Sequence, residues 1–201
     1  MKLIYGTGNS GKIKQVKDYF STTDLDLEII SIKDLGIDID VEETGTTFEE
    51  NSLLKAKVIK ECCDKKGIKG IIVCDDSGLC VECLNGAPGV YSARYAGDHA
   101  PQEIVLEKLL KEMKATGSPN RRAKFVCVLT AIMPDNEIIV VRGENDGHIL
   151  EEPSIMGKLT FDPVFVPDGF DKPMVELEDK DLDCTHREKA FIKLLEVLKN
   201  R

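Results

Sequence analysis

The chain has 201 residues, of which 42% are hydrophobic and 31% are charged, a composition typical of one globular domain with a full core. Its formal net charge of -9 argues against a nucleic-acid polymer as a partner, because a phosphate backbone requires a basic surface. No apolar run approaches the about 20 residues that cross a bilayer, so we expect no membrane partner. Seven cysteines without regular spacing, and no recognisable signal peptide, indicate a cytoplasmic protein.

Apolar runs and helical patterns alternate along the chain. Strands are predicted at 2–5, 27–32, 71–74, 124–132 and 137–142. Helices are predicted at about 11–20, from Thr46 or Thr47 to about 63, at about 101–114, and after Thr185. Pro134-Asp135-Asn136 predicts a hairpin turn. This alternation indicates an α/β fold, and because no linker or repeat interrupts it we expect 1–201 to form a single domain.

A glycine-rich loop follows the first predicted strand and precedes the first helix. It reads Gly6-Thr7-Gly8-Asn9-Ser10-Gly11-Lys12. Glycines let backbone N–H groups approach phosphate oxygens, while Lys12 and the helix start add positive charge. A P-loop has Ser or Thr after its lysine to ligate magnesium, and this chain has Ile13. We interpret the loop as a triphosphate-binding element that is not a Walker motif; the alternative is an ordinary strand-to-helix turn.

Two acidic pairs could supply the missing metal ligands. Asp75-Asp76 follow the predicted strand 71–74, and open α/β sheets bind ligands at the carboxyl ends of strands. Glu42-Glu43 could add a ligand directly or through water. Hard oxygen donors beside a triphosphate indicate Mg²⁺, with Mn²⁺ as an alternative ion. Taken separately, each pair could equally be a solvated acidic turn.

The last predicted helix begins with a capping box formed by Thr185 and Glu188. His186 and Arg187 therefore occupy its first turn, beside free backbone N–H groups. This arrangement suits an anionic or carbonyl-bearing ligand. The alternative for Arg187 is an ordinary surface ion pair.

Cys80 and Cys83 form a C-x-x-C motif inside the strand-like segment 79–84. No second pair with matching spacing accompanies it. We therefore interpret the two cysteines as structural and not as a redox or zinc motif.

One long segment carries a family resemblance. Ser77-Gly78-Leu79 and then Leu84-Asn85-Gly86-Ala87-Pro88-Gly89-Val90-Tyr91-Ser92-Ala93-Arg94-Tyr95-Ala96-Gly97 resemble the inosine/xanthosine triphosphate pyrophosphatases. The resemblance continues in order at 7–12, 42–45, 48–55, 161–169 and 185–187. It implies a mixed central sheet with flanking helices, two lobes around a nucleotide-binding cleft, and a homodimer. The implied reaction is the Mg²⁺-dependent hydrolysis of ITP, dITP or XTP to the monophosphate and pyrophosphate.

Carried over by position, the resemblance implies three sets of site residues. Asp76 is the implied general base, with Lys55 and Lys12 as the other catalytic groups. The implied metal ligands are Glu42, Glu43, Asp75 and Asp76. The implied substrate contacts are Thr7, Gly8, Asn9, Ser10, Gly11, Lys12, Ser77, Arg94, Phe161, Asp162, Lys180, His186 and Arg187.

The chain departs from the family pattern at two places. Leu159-Thr160 replace an aromatic residue and a glycine, and Lys180 stands one position before the usual lysine. Two alternative functions remain open: a P-loop-like enzyme that cleaves the γ-phosphate, and a nucleotide-binding module without hydrolysis.

Overall fold

The computed structural model describes residues 2–21, 27–157, 159–177 and 184–200. Its strands are β1 (Lys2–Tyr5), β2 (Glu28–Ser31), β3 (Ile71–Val81), β4 (Arg122–Ile132), β5 (Ile138–Ile149) and β6 (Phe165–Pro167). Its helices are α1 (Ser10–Ser21), α2 (Phe48–Lys65), α3 (Gln102–Ala115) and α4 (His186–Lys199). Each predicted strand and helix therefore has a counterpart in the structure, although some boundaries differ.

The six strands form one sheet in the order β2-β1-β3-β4-β5-β6. β1 runs parallel to β2 and to β3, and Tyr5 pairs with Val73 at the end of β1. β6 runs antiparallel to β5. Parallel and antiparallel pairs thus occur in the same sheet, and the mixed α/β fold is confirmed.

Two predictions about β3 were wrong. The strand continues through Asp75 and Asp76 instead of ending before them, because both carboxylates have hydrogen-bond partners inside the fold. The segment 79–84 is strand only as far as Val81, and a 3-10 turn follows. Asn85 at φ 53° and Gly86 at φ 88° turn the chain there, so the strand cannot continue.

Two further features of the strands were not predicted. β5 extends to Ile149, beyond the predicted end at 142, and the short β6 was not predicted. The predicted hairpin turn joins β4 to β5, where the Met133 N–H donates to the Glu137 carbonyl at 2.8 Å and Asn136 has a φ of 70°.

The chain divides into two compact units. Unit 1 comprises Met1–Asp76, Cys127–Gly143 and Glu188–Arg201, and unit 2 comprises Ser77–Val126 and Glu144–Arg187. In unit 1 the alternation of strand side chains separates two cores, because successive residues point to opposite faces. Leu3 and Tyr5 pack with α1 and α4, whereas Ile4 packs with α2.

Unit 2 has a core of its own. Leu79 and Val81 pack there with one side of α3, whose buried residues are Val105, Leu106, Leu109 and Met113. Phe161 and Phe165 complete this core, and Cys83 is half-buried against it. Neither Cys80 nor Cys83 forms a disulfide among the described residues.

No helix among the described residues is long and apolar enough to span a bilayer.

Candidate active site

The glycine-rich loop leaves β1 directly against β3. The Gly6 N–H donates to the Val73 carbonyl at 2.7 Å, and a Cβ on Gly6 would lie 2.2 Å from the Cys74 Sγ. Only glycine permits this approach without displacing the Cys74 side chain. The loop therefore starts at a fixed position beside the carboxylates that follow Cys74.

Asn9 caps helix α1. Its side-chain Oδ1 accepts the N–H groups of Gly11 at 2.9 Å and Lys12 at 3.2 Å, while the Thr7 Oγ1 accepts the Asn9 N–H at 3.2 Å. These bonds satisfy N–H groups that a helix start otherwise leaves open. A phosphate oxygen that binds the Gly11 and Lys12 N–H groups must therefore displace the Asn9 side chain.

Ile13 lies one residue beyond Lys12 and packs against the core that contains Leu3 and Tyr5. The residue at the magnesium-ligand position of a P-loop thus has a packing role here. This agrees with the interpretation of the loop as something other than a Walker motif.

Asp75 is a buried carboxylate, with a side chain 2% exposed. Its Oδ2 lies 2.7 Å from the Lys12 Nζ, and its Oδ1 accepts the Tyr5 hydroxyl at 2.8 Å. Tyr5 is fully buried at the end of β1. The lysine of the glycine-rich loop is therefore tied to the strand that carries the acidic pair.

Asp76 has a matching but separate set of partners. The Lys55 Nζ donates to the Asp76 Oδ1 at 3.1 Å and to the Glu43 Oε1 at 2.7 Å, so one ammonium bridges two carboxylates. The Asn51 Nδ2 donates to the Asp76 Oδ2 at 3.2 Å. Lys55 and Asn51 both belong to α2, which begins with a complete capping box formed by Thr47 and Glu50.

Burial and neighbouring charges of opposite sign shift the pKa values of Asp76 and Lys55 in opposite directions. Burial raises the pKa of Asp76, against the opposing effect of the Lys55 charge, and the Glu43 charge raises it further. Burial alone would lower the pKa of Lys55, but the charges of Asp76 and Asp75 and the hydrogen bond to Glu43 raise it above its ordinary value. Lys55 is therefore a firmly charged ammonium beside a carboxylate that binds protons more readily than usual.

The structure thus brings five of the predicted residues of unit 1 into contacts: Lys12 with Asp75, and Lys55 with Glu43 and Asp76. Glu42 is exposed, as are Gly8 and Asn9. Ser10 begins α1, and its side chain lies outside the described part, as does Lys180.

In unit 2 the first turn of α4 carries His186 and Arg187, as predicted. The His186 ring stacks on Phe125, with centroids 5.1 Å apart and planes at 13°. The Arg187 Nη2 lies 3.4 Å from the Ser77 Oγ, which makes a long hydrogen bond. Ser77 follows Asp76 directly in the chain.

Asn145 on β5 contacts the segment that leads into α4. Its Nδ2 donates to the Cys184 carbonyl at 3.3 Å, and the side chain is almost fully buried. Its Oδ1 is buried without a hydrogen-bond partner among residues 2–21, 27–157, 159–177 and 184–200.

The remaining predicted contacts of unit 2 are spread over two segments. Phe161 is buried in the core, and burial raises the pKa of the neighbouring Asp162 to about 6. The Arg94 guanidinium lies 5.1 Å from the centre of the Tyr91 ring. Leu159 is 60% exposed, and its carbonyl accepts the Gln102 amide at 2.6 Å.

The chemistry of the donors fits a hard divalent cation. Glu43, Asp75 and Asp76 offer carboxylate oxygens, but no group of three or more His, Cys, Asp or Glu side chains in the described residues is arranged to hold a metal. Mg²⁺ commonly uses one or two carboxylates and completes its shell with substrate phosphates and water. The donor set therefore suits an ion that is held by one or two of these carboxylates and fills the rest of its shell with water or phosphate oxygens.

Sequence reasoning missed Tyr5, Asn51 and Asn145. A signal for Asn51 was available, because the buried residues of α2 include Phe48, Asn51, Ser52, Ala56 and Ile59. Asn51 is thus a polar residue on the face that packs into the fold. Such a residue needs hydrogen-bond partners inside the protein.

A family model described as the Ham1 family matches residues 3–197. The chain belongs to the Ham1 family. A dITP/XTP pyrophosphatase of Clostridium perfringens is 43% identical over 200 residues, covering 98% of this chain and 97% of the relative. A dITP/XTP pyrophosphatase of Bacillus subtilis is 37% identical over 196 residues, covering 97% and 96%.

Solved structures give the same result for the fold. The Ham1 protein of Staphylococcus aureus is 37% identical and superposes with a TM-score of 0.84, covering 100% of this chain and 99% of that one. A nucleoside-triphosphatase/dITP/XTP pyrophosphatase of Mycobacterium abscessus is 33% identical, with a TM-score of 0.76 and coverage of 97% and 99%. The family resemblance and the fold class inferred from the sequence are confirmed.

Proposed function

We propose that this Ham1-family chain hydrolyses ITP, dITP and XTP to the nucleoside monophosphate and pyrophosphate, with Mg²⁺ as the cation. Support comes from relatives that cover nearly the whole chain and are named dITP/XTP pyrophosphatases. Within the same proposal the chain acts as a cytoplasmic homodimer, without a nucleic-acid or membrane partner.

One observation carries the catalytic part of the proposal. Asp76 is buried and contacts a lysine that it shares with Glu43, and the adjacent Asp75 contacts the lysine of the glycine-rich loop. Two cations and three carboxylates therefore form two sets of ion pairs at adjacent residues of β3. This arrangement suits the transfer of a phosphoryl group, in which charge must be neutralised and the reactants aligned.

Asp76 is the proposed general base. Its Oδ atoms orient a water molecule and accept its proton while the water oxygen forms a bond to the α-phosphorus and the bond to the pyrophosphate oxygen breaks. Burial raises the pKa of Asp76, which strengthens the carboxylate as a base. Lys12 and Lys55 stabilise the negative charge that grows on the phosphate oxygens.

Asp76 and Glu43 are the proposed Mg²⁺ ligands. Asp75 holds Lys12, and Glu42 is exposed, so both are less direct candidates. When bound, the cation would neutralise the pyrophosphate leaving group and so lower the barrier to its departure.

Donors from unit 2 are proposed to bind the nucleoside. Hypoxanthine and xanthine carry a 6-oxo acceptor where adenine carries an amino donor, so fixed donors such as His186 and Arg187 favour the oxo bases. A site built around such a hydrogen bond can discriminate by about 10⁴ or more. Lys180 and Asp162 are further proposed contacts that follow from the resemblance.

Cleavage of the γ-phosphate is the second candidate. It is disfavoured because P-loop enzymes use a hydroxyl at the position of Ile13, and Ile13 packs against the core.

A panel of ITP, dITP, XTP and ATP, incubated with Mg²⁺ and analysed for products, tests the proposal. Wild-type protein is expected to form monophosphate and pyrophosphate from the 6-oxopurine substrates ITP, dITP and XTP, with ATP much slower. Asp76→Asn should lose about 10² to 10⁴ in kcat, since it removes the base without changing its size. Asp64→Asn, at an exposed aspartate that pairs with Lys60 on α2, is the matched control and should retain full activity.

Diphosphate with inorganic phosphate would support γ-cleavage instead. Unchanged nucleotide with measurable binding would support a binding module. Retention of more than a tenth of kcat by Asp76→Asn would remove Asp76 from the mechanism.

A further inference from the structure

Asn51 lies in unit 1 between α2, Asp76 and the loop at Gly45, and the family resemblance assigns it no role. Its side chain is completely buried in the first turn of α2. The Nδ2 donates to the Asp76 Oδ2 at 3.2 Å, and the Oδ1 accepts the Gly45 N–H at 2.8 Å. One amide therefore connects the proposed general base to the loop that carries Glu43.

The contacts of Asn51 close a ring. From Asp76 one path runs through Asn51 to Gly45, and the other runs through Lys55 to Glu43, two residues before Gly45. Each oxygen of Asp76 is used by a different partner on α2, so the carboxylate is held in one orientation. The separation of Glu43 and Asp76 is set by the same ring.

Gly45 allows the loop to reach Asn51. A Cβ at Gly45 would lie 2.7 Å from the Asn51 Oδ1 and 2.7 Å from the Glu50 Cβ, so a side chain there would push the loop away from α2. The close approach and the hydrogen bond therefore depend on each other. The loop is fastened at this point, and Glu43 is brought within 2.7 Å of Lys55.

The ring requires an amide at position 51. Leucine has nearly the same shape but neither donor nor acceptor, and it would leave a buried carboxylate oxygen and a backbone N–H without partners. Aspartate keeps the acceptor for Gly45, loses the donor for Asp76 and adds a second negative charge beside it. Only asparagine or a similar amide serves both neighbours.

We propose that Asn51 is a positioning residue that holds Asp76 and Glu43 at the separation and orientation needed to bind the divalent cation. The inference rests on the proposed function for the roles of those two carboxylates. Groups that orient metal ligands commonly change metal affinity by about 10- to 100-fold when they are removed. We expect a loss of this size when Asn51 is replaced.

The test compares Asn51→Leu with Ser52→Ala. Ser52 is the next residue and is also completely buried, and its hydroxyl bonds to the Thr130 hydroxyl at 2.7 Å and to the Glu49 carbonyl at 3.1 Å. Two quantities are measured for each variant: the dissociation constant of Mn²⁺ by paramagnetic resonance titration of the protein without nucleotide, and the Mg²⁺ concentration that gives half-maximal hydrolysis of ITP. Circular dichroism verifies that each variant is folded.

Asn51→Leu is expected to raise both metal constants about 10- to 100-fold. The KM for ITP at saturating Mg²⁺ should stay within about threefold. Ser52→Ala should leave both metal constants within about twofold of wild type, even if its melting temperature falls. A purely structural role for Asn51 predicts that the two variants behave alike.

Gly45→Ala serves as a second variant if Asn51→Leu does not fold. It displaces the loop without touching Asp76, and the same rise in both metal constants is expected. Wild-type constants in the folded Asn51 or Gly45 variant would overturn the inference, as would the absence of Mn²⁺ binding to the wild type. Failure of the wild type to release pyrophosphate would instead overturn the proposed function, so the two outcomes are distinguishable.

Discussion

Each carboxylate of the Asp75-Asp76 pair has one lysine and one neutral donor. Asp75 has Lys12 and Tyr5, whereas Asp76 has Lys55 and Asn51. Adjacent buried carboxylates repel each other and lose hydration, so they persist only where such partners compensate. The pair is therefore tolerated inside a strand because each carboxylate is paired with a lysine and a neutral donor.

Tyr5→Phe tests the support of Asp75. The substitution keeps the buried ring but removes the hydroxyl that Asp75 accepts, so the free energy of unfolding should fall by about 1.5 to 3 kcal/mol. Urea denaturation at pH 7 measures the change. Tyr91→Phe, at a side chain 54% exposed, is the control and should stay within about 0.5 kcal/mol of wild type. Equal effects of the two substitutions would mean that the Tyr5 hydroxyl does not stabilise Asp75.

Asp162 should make stability depend on pH. Burial raises its folded-state pKa to about 6, above the unfolded value near 3.9, so the folded state binds the proton more tightly. The contribution of Asp162 to the free energy of unfolding is therefore largest below about pH 4. It is lost as the pH rises through about 6, and the loss is roughly 3 kcal/mol because each pKa unit corresponds to about 1.36 kcal/mol.

Asp162→Asn removes this loss. The variant should match wild type near pH 4 and be the more stable protein at pH 7.5, as measured by urea denaturation across that range. Asp168→Asn is a control of opposite sign, because Arg122 holds the pKa of Asp168 below its ordinary value and its stabilising effect is present at neutral pH. If the difference in unfolding free energy between Asp162→Asn and wild type does not change with pH, Asp162 does not cause the pH dependence.

At the scale of elements, the positions of the proposed catalytic groups depend on how three segments meet β3. The glycine-rich loop approaches it through Gly6, α2 presents Asn51 and Lys55 to it, and the loop at Gly45 is fastened to α2. Two of these junctions need a glycine because backbone and side-chain atoms come closer than a Cβ allows.

Gly6→Ala tests the first junction. The new methyl group would overlap the Cys74 Sγ, so the variant should lose about 1 to 3 kcal/mol of stability. Cys74→Ala removes that sulfur, and the double variant should therefore lose less than the sum of the two single losses, by more than about 0.5 kcal/mol. Gly8→Ala, where a Cβ would meet nothing within 4 Å, is the control. Additive losses in the double variant would show that Gly6 and Cys74 do not compete for space.

The elements themselves were predictable because their patterns are local. The apolar run before Asp75 predicted the first half of β3, and the capping box at Thr47 predicted the start of α2. The second half of β3 was not predictable by the same means, since two carboxylates inside a strand are tolerated only through partners that are distant in sequence. Tyr5 was missed for the same reason, because its importance lies in its contact with Asp75. Asn51 had a local signal as a polar residue on the buried face of α2, but its contact with Asp76 did not.

At the scale of the whole molecule, the sequence predicted the family more readily than it predicted the contacts within the candidate site. The segment 84–97 identified the family, and the family match over residues 3–197 confirmed it. The segment did not indicate which acidic residue pairs with which lysine. The structure separates these pairs, with Lys12 on Asp75 and Lys55 on Asp76 and Glu43.

The most direct test of the central claim is hydrolysis of ITP in water enriched in oxygen-18, with the products analysed by phosphorus NMR or mass spectrometry. Attack of a water oriented by Asp76 on the α-phosphorus places the heavy oxygen in the monophosphate and leaves the pyrophosphate unlabelled. Label in the pyrophosphate would locate the attack at the β-phosphorus, and label in inorganic phosphate would locate it at the γ-phosphorus. Either result would contradict the mechanism proposed for this chain.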